Sequence, residues 1–214
     1  MKIAVIGAGN VGLALAKGWK KAGYDVQFGV RDINSEKVAK AKEMAQNIPF
    51  KTISEAIQFA DTVVVTTPPD AIINISIHFG DMGDKVVIDA TNSIRTKPGS
   101  FATAYHAIKE LTNTKHIVKC FNSTGFENMS NPIYQQRSPV LYTIGIDMYY
   151  AGDSKKAKQT AEELAVKIGF EKCYDFGGED KVVLLEQLAL CWINLAIMQG
   201  HGRDIAFKII KRNP

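Results

Sequence analysis

The chain has 214 residues, of which 46% are hydrophobic and 22% are charged, so it is long enough to bury a sizeable core in one large domain or in one domain with a smaller extension. The 26 basic and 22 acidic residues give a formal net charge of +4 and are spread along the chain, which argues against a nucleic-acid partner. The 3 cysteines and 4 histidines have neither C-x-x-C nor H-E-x-x-H spacing, so we expect no metal site and no disulfide framework.

The sequence predicts neither export nor a membrane span. A single charge, Lys2, precedes the first apolar run, without a basic region or a cleavage site. The most apolar stretch, VVLLEQLALCWINLAIMQ, is interrupted by Glu186, Gln187 and Asn194, and this pattern favours a buried helix over a span of about 20 apolar residues. We therefore expect a cytoplasmic protein with reduced thiols and no membrane partner.

The first part of the chain alternates short β-branched runs with helical patterns. The strand candidates are KIAVIG, YDVQFGV, DTVVVTTPP and DKVVIDATN, and the helix candidates include GLALAKGWKKAG and SEKVAKAKEMAQ. This alternation predicts an α/β Rossmann fold with a doubly wound, mostly parallel sheet. TVVVT and KVVIDAT are continuously apolar, which is typical of strands covered on both faces at the centre of a sheet. Ligands of such sheets bind at the carboxyl ends of the strands.

The polar stretch SNPIYQQRSP, residues 130–139, predicts an exposed loop and the best candidate for a domain boundary. We expect a Rossmann domain over residues 1–145 and a small C-terminal α/β domain over residues 146–214. In this second domain TIGIDMYYAGD and EKCYDFGG predict strands. SKKAKQTAEELAVKIG predicts a helix between them, capped by Ser154 or Asp153.

A long helical pattern over residues 179–212 predicts that the chain ends in a long helix. Gly200 and Gly202 fall inside this pattern, where each costs about 1 kcal/mol relative to Ala. They therefore predict a close approach of this helix to a neighbouring backbone or to a substrate pocket. Its apolar face predicts packing on the sheet or on a second subunit, and we expect a homodimer.

Gly7, Gly9 and Gly12 form the pattern G-x-G-x-x-G between the first strand and a helix that begins near Asn10. The first glycine permits a tight turn, the second lets the backbone reach a pyrophosphate, and the third allows close packing of helix and strand. The free N–H groups at the helix N-terminus bind phosphate. The predicted cofactor-binding turn comprises Gly7, Ala8, Gly9, Asn10, Val11 and Gly12.

Arg31 and Asp32 end the second strand, where this fold recognises the adenosine ribose. A guanidinium binds the 2′-phosphate of NADP with two hydrogen bonds, and Lys37 offers a second positive charge unless it is only a surface lysine. Asp32 is the contrary signal, since it would accept the ribose hydroxyl of NAD or cap the next helix. On balance the pattern favours NADP(H) over NAD.

Two further strand ends carry candidates for contacts with the cofactor. Thr67 and Pro68 follow TVVVT, and the rigid proline backbone suits a wall beside the nicotinamide or the start of a helix. Asn92 follows KVVIDAT and would bond a ribose or carboxamide, or cap a turn. We expect all three residues to bind cofactor.

The segment KCFNSTG follows another predicted strand and supplies the candidate substrate pocket. Phe121 would stack on a ring or belong to the core, and Asn122, Ser123 and Thr124 offer donors for carbonyl groups of a hydride acceptor or form a capped turn. Hydride transfer between two rings requires orientation rather than an acid, and the chemistry belongs to the cofactors. We therefore predict no catalytic side chain.

Taken together, these motifs resemble the NADP-dependent reductases of the deazaflavin coenzyme F420. The resemblance is carried over essentially the whole chain by IGAGNVG, GVRD with SEKV, VVTTPPDAI, KCFNSTGFENM and LCWINLAIMQGHGRDIAFKII. The same architecture supplies the cytosolic domain of membrane metalloreductases, which passes hydride from NADPH to a flavin. The resemblance thus implies redox chemistry between NADP(H) and a flavin or deazaflavin acceptor. Val30 and Ala8 depart from the family, which often has a small hydroxyl residue before the arginine and a threonine in the glycine turn.

Three functions follow from the sequence. The first is an NADP-dependent oxidoreductase that moves hydride between NADP(H) and a flavin or deazaflavin acceptor. The second is a reductase of a small carbonyl or imine, which would need a placed Lys, Tyr or His to protonate its product. The third is a non-catalytic NADPH sensor.

Overall fold

The computed structural model describes residues 1–45, 47–138 and 140–212. The strands are β1 (Lys2–Ile6), β2 (Asp25–Val30), β3 (Phe50–Thr52), β4 (Thr62–Val65), β5 (Val86–Asp89), β6 (His116–Cys120), β7 (Ile133–Ser138), β8 (Val140–Gly145), β9 (Asp147–Ala151) and β10 (Lys172–Asp175). The helices are α1 (Asn10–Lys21), α2 (Glu36–Met44), α3 (Ile53–Phe59), α4 (Ile72–Ser76), α5 (Ala104–Leu111), α6 (Phe126–Ser130), α7 (Lys155–Lys167) and α8 (Val182–Ile193).

The main sheet has eight strands in the order β10-β9-β6-β5-β4-β1-β2-β3. All its pairings are parallel except that of β6 with β9. The six strands from β1 to β6 thus have the 3-2-1-4-5-6 order of dinucleotide-binding folds, with β4 and β5 at the centre, as predicted. The Rossmann fold class is confirmed. Strands β9 and β10 continue the same sheet, and the division of the chain at residue 145 stays a prediction.

Helices cover both faces of the sheet. On one face α1 and α7 pack on the strands, and the Trp19 indole N–H of α1 donates to the Leu164 carbonyl of α7 at 3.0 Å. On the other face α3, α4, α5 and α8 pack against alternate strand residues. Side chains of a strand alternate between faces, so the fully buried TVVV of β4 contributes to both layers.

Several helices begin at hydrogen-bonding side chains. Ser35 Oγ accepts from the Val38 N–H at the start of α2, and Thr52 and Glu55 form a reciprocal capping box at the start of α3. At α7 the cap is Ser154, whose hydroxyl accepts from the Ala157 N–H at 3.2 Å. The predicted choice between Ser154 and Asp153 is thereby settled.

The prediction of a loop over residues 130–139 is wrong for Ile133–Ser138, which form β7. Residues of β7 pair antiparallel with β8 in a two-stranded arm, with Ile133 opposite Gly145 and Gln135 opposite Thr143. Pro139 lies outside the described residues. A two-stranded arm outside the main sheet can carry polar side chains such as the exposed Gln135 on its strands, so its composition resembles that of a loop. The predicted single strand TIGIDMYYAGD is divided between β8 and β9 at Ile146.

The C-terminal helix is shorter than predicted. Single turns at Glu179–Lys181 and Asn194–Met198 extend α8 to a helical segment over residues 179–198, which ends well before residue 212. Gly200 and Gly202 have φ angles of +73° and +82°, and no atom lies within 4 Å of a Cβ built on either glycine. The two glycines therefore serve to end the helix, and the predicted close approach to a neighbouring backbone is wrong for the described residues, whereas an approach to a substrate pocket stays a prediction.

The segment after α8 packs back on the protein without regular structure. The Ile205 carbonyl accepts from the Trp192 indole at 2.6 Å and from the Asn128 amide at 2.7 Å. Further along, the Ile209 N–H donates to the buried Asp147 carboxylate at 2.8 Å. These bonds replace the backbone partners that a helix would have supplied.

One helical segment, Glu179–Met198, is long and apolar enough by composition to cross a membrane. A core helix meets the same criteria. The segment's most apolar 18-residue stretch is 33% buried. Val182 and Leu185 pack in the helix layer on the sheet, and Glu186 pairs with a buried lysine.

Candidate functional site

The glycine turn joins β1 to α1 at the carboxyl edge of the sheet. Gly7 has a φ angle of +107°, which a residue with a side chain rarely adopts. At Gly12 a Cβ would overlap the Gly7 carbonyl oxygen and reach 2.8 Å from Thr66 Oγ1. The Thr66 hydroxyl lies 3.1 Å from the Ile6 carbonyl oxygen and 3.0 Å from that of Gly7, and so fastens β4 to the turn. These contacts fix the loop tightly.

Gly9, by contrast, faces open space. No atom lies within 4 Å of a Cβ built at this position. Gly9 caps α1, and its carbonyl accepts from the Leu13 N–H at 2.8 Å, so the N–H groups of Asn10, Val11 and Gly12 have no acceptor within the helix. This open helix N-terminus fits a pyrophosphate in position and charge.

A cavity of about 650 Å³ adjoins the turn and runs to the end of β2. Seven of the predicted cofactor-binding residues line it, namely Gly7, Ala8, Gly9, Arg31, Lys37, Thr67 and Pro68. Asp32, Ser35 and Thr66, which were not among the predicted site residues, line it as well. The cavity thus joins the glycine turn to the predicted ribose-recognition residues.

The cationic and anionic side chains at the adenosine end of the cavity differ in how far they are engaged by other groups. Arg31 and Lys37 are exposed at its rim. Asp32 serves the local turn, because its Oδ1 accepts from the Asn34 N–H at 2.9 Å and its carbonyl accepts from the Ser35 hydroxyl at 3.1 Å. Two cations are therefore available to an anion here, while the nearby carboxylate is already engaged by backbone.

The turns after β5 and β6 meet at a pair of amide side chains outside the lining of this cavity. Asn92 Nδ2 donates to the Asn122 carbonyl at 3.0 Å, and Asn122 Nδ2 donates to Asn92 Oδ1 at 3.1 Å. Asn122 Nδ2 also lies 3.3 Å from the Leu185 carbonyl of α8. The structure thus brings together a predicted cofactor contact and a predicted substrate contact.

Phe121 belongs to the core and presents no ring to an open pocket. Its side chain is fully buried and meets Trp19 edge to face, with ring centroids 5.6 Å apart. Its φ angle of +61° is unusual for a residue with a side chain and turns the chain sharply after β6. Ser123 is buried beside Met148, and Thr124 accepts from the Asn128 amide. Of the two readings offered for Phe121, the structure supports the core residue.

Two of the histidines and the buried cysteine have structural surroundings. His116 bonds Ser154 and Asp84, and His106 bonds Thr103. Burial raises the pKa of the Cys120 thiol well above its ordinary value, so it is held as a neutral packing group. Across residues 1–45, 47–138 and 140–212, no group of three or more His, Cys, Asp or Glu side chains could hold a metal ion.

Sequence reasoning missed a buried ionic cluster of Asp89, Lys119 and Glu186 next to the Asn92–Asn122 pair. Lys119 Nζ lies 2.9 Å from Asp89 Oδ2 and 2.6 Å from Glu186 Oε1. Three charged residues inside apolar runs were the available signal, since a buried charge requires a partner. Ser35 was detectable as the helix cap at the start of SEKV.

Comparisons with known proteins identify sequences similar to this chain. Residues 2–93 match the family model described as NADP oxidoreductase coenzyme F420-dependent. The chain is 31% identical to the F420-dependent NADP reductase of Methanothermobacter thermautotrophicus over 226 residues, which cover 98% of this chain and 94% of that protein.

Solved structures share the fold at lower identity. A protein from Arthrobacter sp. FB24 is 22% identical with a TM-score of 0.82, covering 99% of this chain and all of that one. The reductive aminase of Aspergillus terreus, solved with NADPH and ethyl levulinate, is 15% identical with a TM-score of 0.63, covering 93% of this chain and 62% of that one. With the sequence relative matched over nearly its whole length, this chain belongs to the family of coenzyme F420-dependent NADP oxidoreductases.

Proposed function

We propose that this protein is an NADP-dependent oxidoreductase that transfers hydride between NADP(H) and the deazaflavin coenzyme F420. The observation that carries the proposal is the cavity that joins an open glycine turn to Arg31 and Lys37, in a chain whose relative is an F420-dependent NADP reductase. The nicotinamide and the deazaflavin supply the redox chemistry when bound. The protein binds, orients and desolvates the two rings.

The glycine turn is proposed to hold the pyrophosphate. The N–H groups of Asn10, Val11 and Gly12 donate to phosphate oxygens, and the dipole of α1 adds a favourable potential. Gly9 leaves room for the phosphates because its α-carbon faces open space. Ala8, in the same turn, lines the cavity.

Arg31 and Lys37 are proposed to bind the 2′-phosphate of NADP. Charge-assisted hydrogen bonds to phosphate are roughly twice as strong as neutral ones. Ser35 lines the same cavity wall, but its hydroxyl already donates to the Asp32 carbonyl and caps α2, so Arg31 and Lys37 carry the phosphate contact. The Asp32 carboxylate uses one oxygen to accept from the Asn34 N–H.

Thr67 and Pro68 are proposed to line the nicotinamide ribose, and the turns after β5 and β6 to face the ring and the acceptor. Thr91 Oγ1 and Asn122 Oδ1 are buried without a hydrogen-bond partner among the described residues, and they are proposed to bond polar groups of a ligand. Ser123 and Thr124 complete the turn after β6. Orientation of the two rings by these turns requires no side-chain acid.

The decisive test is an NADPH oxidation assay with F420, flavin, ferric and carbonyl acceptors. We expect turnover with F420 and no turnover with simple carbonyl compounds. Turnover with carbonyl compounds alone would favour the imine or carbonyl reductase, and tight NADPH binding without turnover would favour the sensor. Binding of NADPH is measured separately by quenching of protein fluorescence.

We further propose that the protein is a cytoplasmic homodimer. Val183 and Leu184 on α8, and Ile197 and Met198 in its final turn, are 45–60% exposed and form an apolar surface, which a second copy of the chain would cover. All three cysteines are free thiols, as is usual in a reducing compartment. The proposed division at residue 145 assigns the glycine turn and the turns after β5 and β6 to the N-terminal domain, and α8 to the C-terminal domain.

A further inference from the structure

A cluster of three buried charged groups lies beside the proposed acceptor turns. The Lys119 and Asp89 side chains are fully buried, and Glu186 is 5% exposed. Moving an ion out of water costs several kcal/mol, so such a cluster is retained only where each charge is well satisfied. One ammonium here faces two carboxylates that come from different elements, β5 and α8.

The second oxygen of each carboxylate holds the turn after β5. Asp89 Oδ1 accepts from the Thr91 N–H at 2.9 Å, and Glu186 Oε2 accepts from the Ser93 N–H at 3.0 Å. Lys119 is the one described group that contacts both carboxylates. It therefore fixes the side chains that in turn fix the backbone at positions 91 and 93.

The same region ties the turn after β6 to α8. Asn122 bonds Asn92 on one side and the Leu185 carbonyl on the other, one residue before Glu186 in the helix. Phe121, with its positive φ, stands between Lys119 and this amide along the chain. Two turns and one helix are thereby clamped together at the carboxyl edge of the sheet.

Each clamped turn carries a buried polar atom without a protein partner. Thr91 is 4% exposed and Asn122 is 2% exposed, yet Thr91 Oγ1 and Asn122 Oδ1 have no hydrogen-bond partner in the described ranges. Leaving a buried polar group unpaired is costly, because the group has lost its hydrogen bonds to water. Rigidly held, unpaired polar atoms at two neighbouring strand ends are suited to a ligand that supplies the missing partners.

We propose that Lys119 is a positioning residue for hydride transfer, which through Asp89 and Glu186 holds the turns that orient the two rings. The inference rests on the proposed function, since it assigns the turns to the nicotinamide and the acceptor. Small displacements of a donor–acceptor pair slow a reaction strongly, because orientation supplies much of the catalysis. The phosphate contacts lie elsewhere, in the cavity that these turns do not line.

The test compares three variants of the full chain. Lys119→Met removes the ammonium and keeps the apolar stem. The triple variant Asp89→Asn, Lys119→Met, Glu186→Gln also removes the carboxylates, so it leaves no unpaired buried charge and guards against misfolding. Lys158→Met is the matched control, because Lys158 pairs with Asp175 and the Gly177 carbonyl and bonds neither turn.

Amide hydrogen exchange of residues 90–94 and 121–124 is measured without ligands, and single-turnover hydride transfer to F420 is measured at saturation. We expect faster exchange in both Lys119 variants, hydride transfer slowed at least about tenfold, and a Kd for NADPH within about threefold of wild type. Lys158→Met should match wild type throughout.

Wild-type exchange in both Lys119 variants, or a wild-type transfer rate in the folded triple variant, overturns the proposal. If wild type transfers hydride to no acceptor, the proposed function fails, and the exchange data still test the clamp.

Discussion

Gly12 lies directly against the carbonyl oxygen of Gly7, so that α1 and the end of β1 approach each other more closely than any side chain at position 12 would allow. Replacing Gly12 with Ala forces the helix away from the turn. We expect Gly12→Ala to lower the free energy of unfolding by about 1–3 kcal/mol, which is the usual cost of overpacking. Urea denaturation followed by circular dichroism measures this change.

Gly9→Ala is the matched substitution in the same turn. A methyl group at Gly9 meets nothing within 4 Å, and the φ angle of −78° suits any residue. We expect the free energy of unfolding to fall by about 1 kcal/mol or less while the Kd for NADPH rises, because the methyl group occupies the approach of the pyrophosphate. Equal losses of stability in the two variants would contradict the distinct roles assigned to these glycines.

Arg31→Ala should separate NADPH from NADH. A charge-assisted hydrogen bond contributes about 1.5–3 kcal/mol, so the Kd for NADPH should rise about 10–100-fold. The Kd for NADH, which has no 2′-phosphate, should change by less than about threefold. Isothermal titration with both cofactors measures the difference, and Lys40→Ala on the exposed side of α2 serves as the control. An equal effect on both cofactors would remove Arg31 from the phosphate site.

The Asp84 carboxylate should make stability depend on acid pH. Hydrogen bonds from Lys156 and His116 hold the pKa of Asp84 below its ordinary value of 3.8. The unfolded chain therefore binds a proton more readily, and the stabilisation is complete above that value and is lost as the pH falls through the folded-state pKa. The difference in unfolding free energy between wild type and Asp84→Asn should shrink as the pH falls from about 5 to about 2.

Asp25→Asn is the control for this comparison, since Asp25 is exposed on β2 and makes no side-chain bond to another described residue. Its unfolding free energy relative to wild type should vary little over the same range. A wild-type minus Asp84→Asn difference that grows on acidification would show that the carboxylate does not stabilise the fold in its charged form.

Leu184→Lys should dissociate the proposed homodimer. Leu184 is 54% exposed on the apolar surface of α8, and a charge there is costly to bury against a second copy. We expect light scattering to give a dimer for wild type and a monomer for Leu184→Lys. Ile77→Lys, at a residue that is 78% exposed after α4, should remain dimeric. A monomeric wild type at working concentration would remove the dimer from the proposal.

The parts of the fold that could be predicted from sequence are those governed by local pattern. The uninterrupted apolar runs of β4 and β5 placed them at the sheet centre, and the glycine spacing with a strand before it located the turn at Gly7. Prediction from sequence patterns failed where a strand has the polar composition of a loop, as β7 does. It also failed at the end of α8, since two glycines close in sequence read equally well as packing residues or as a helix stop.

Some residues of the candidate site could be predicted from local sequence patterns, and others could not because their contacts depend on the fold. Residues that contact a ligand through backbone or exposed charge, such as Gly9 and Arg31, follow from the motif. Lys119 and Glu186 are 67 residues apart, and their ion pair depends on which faces of β6 and α8 meet. Phe121 offered both a ring for stacking and a core side chain, and only the packing against Trp19 decides between them.

The hydrogen bond from Trp19 to the Leu164 carbonyl joins residues 145 positions apart. During synthesis on the ribosome, α1 emerges long before α7, and the Leu164 carbonyl is absent until α7 has been made. Until then the indole has the Phe121 ring against it but no acceptor for its N–H, so the helix layer on this face of the sheet is completed only when α7 is in place.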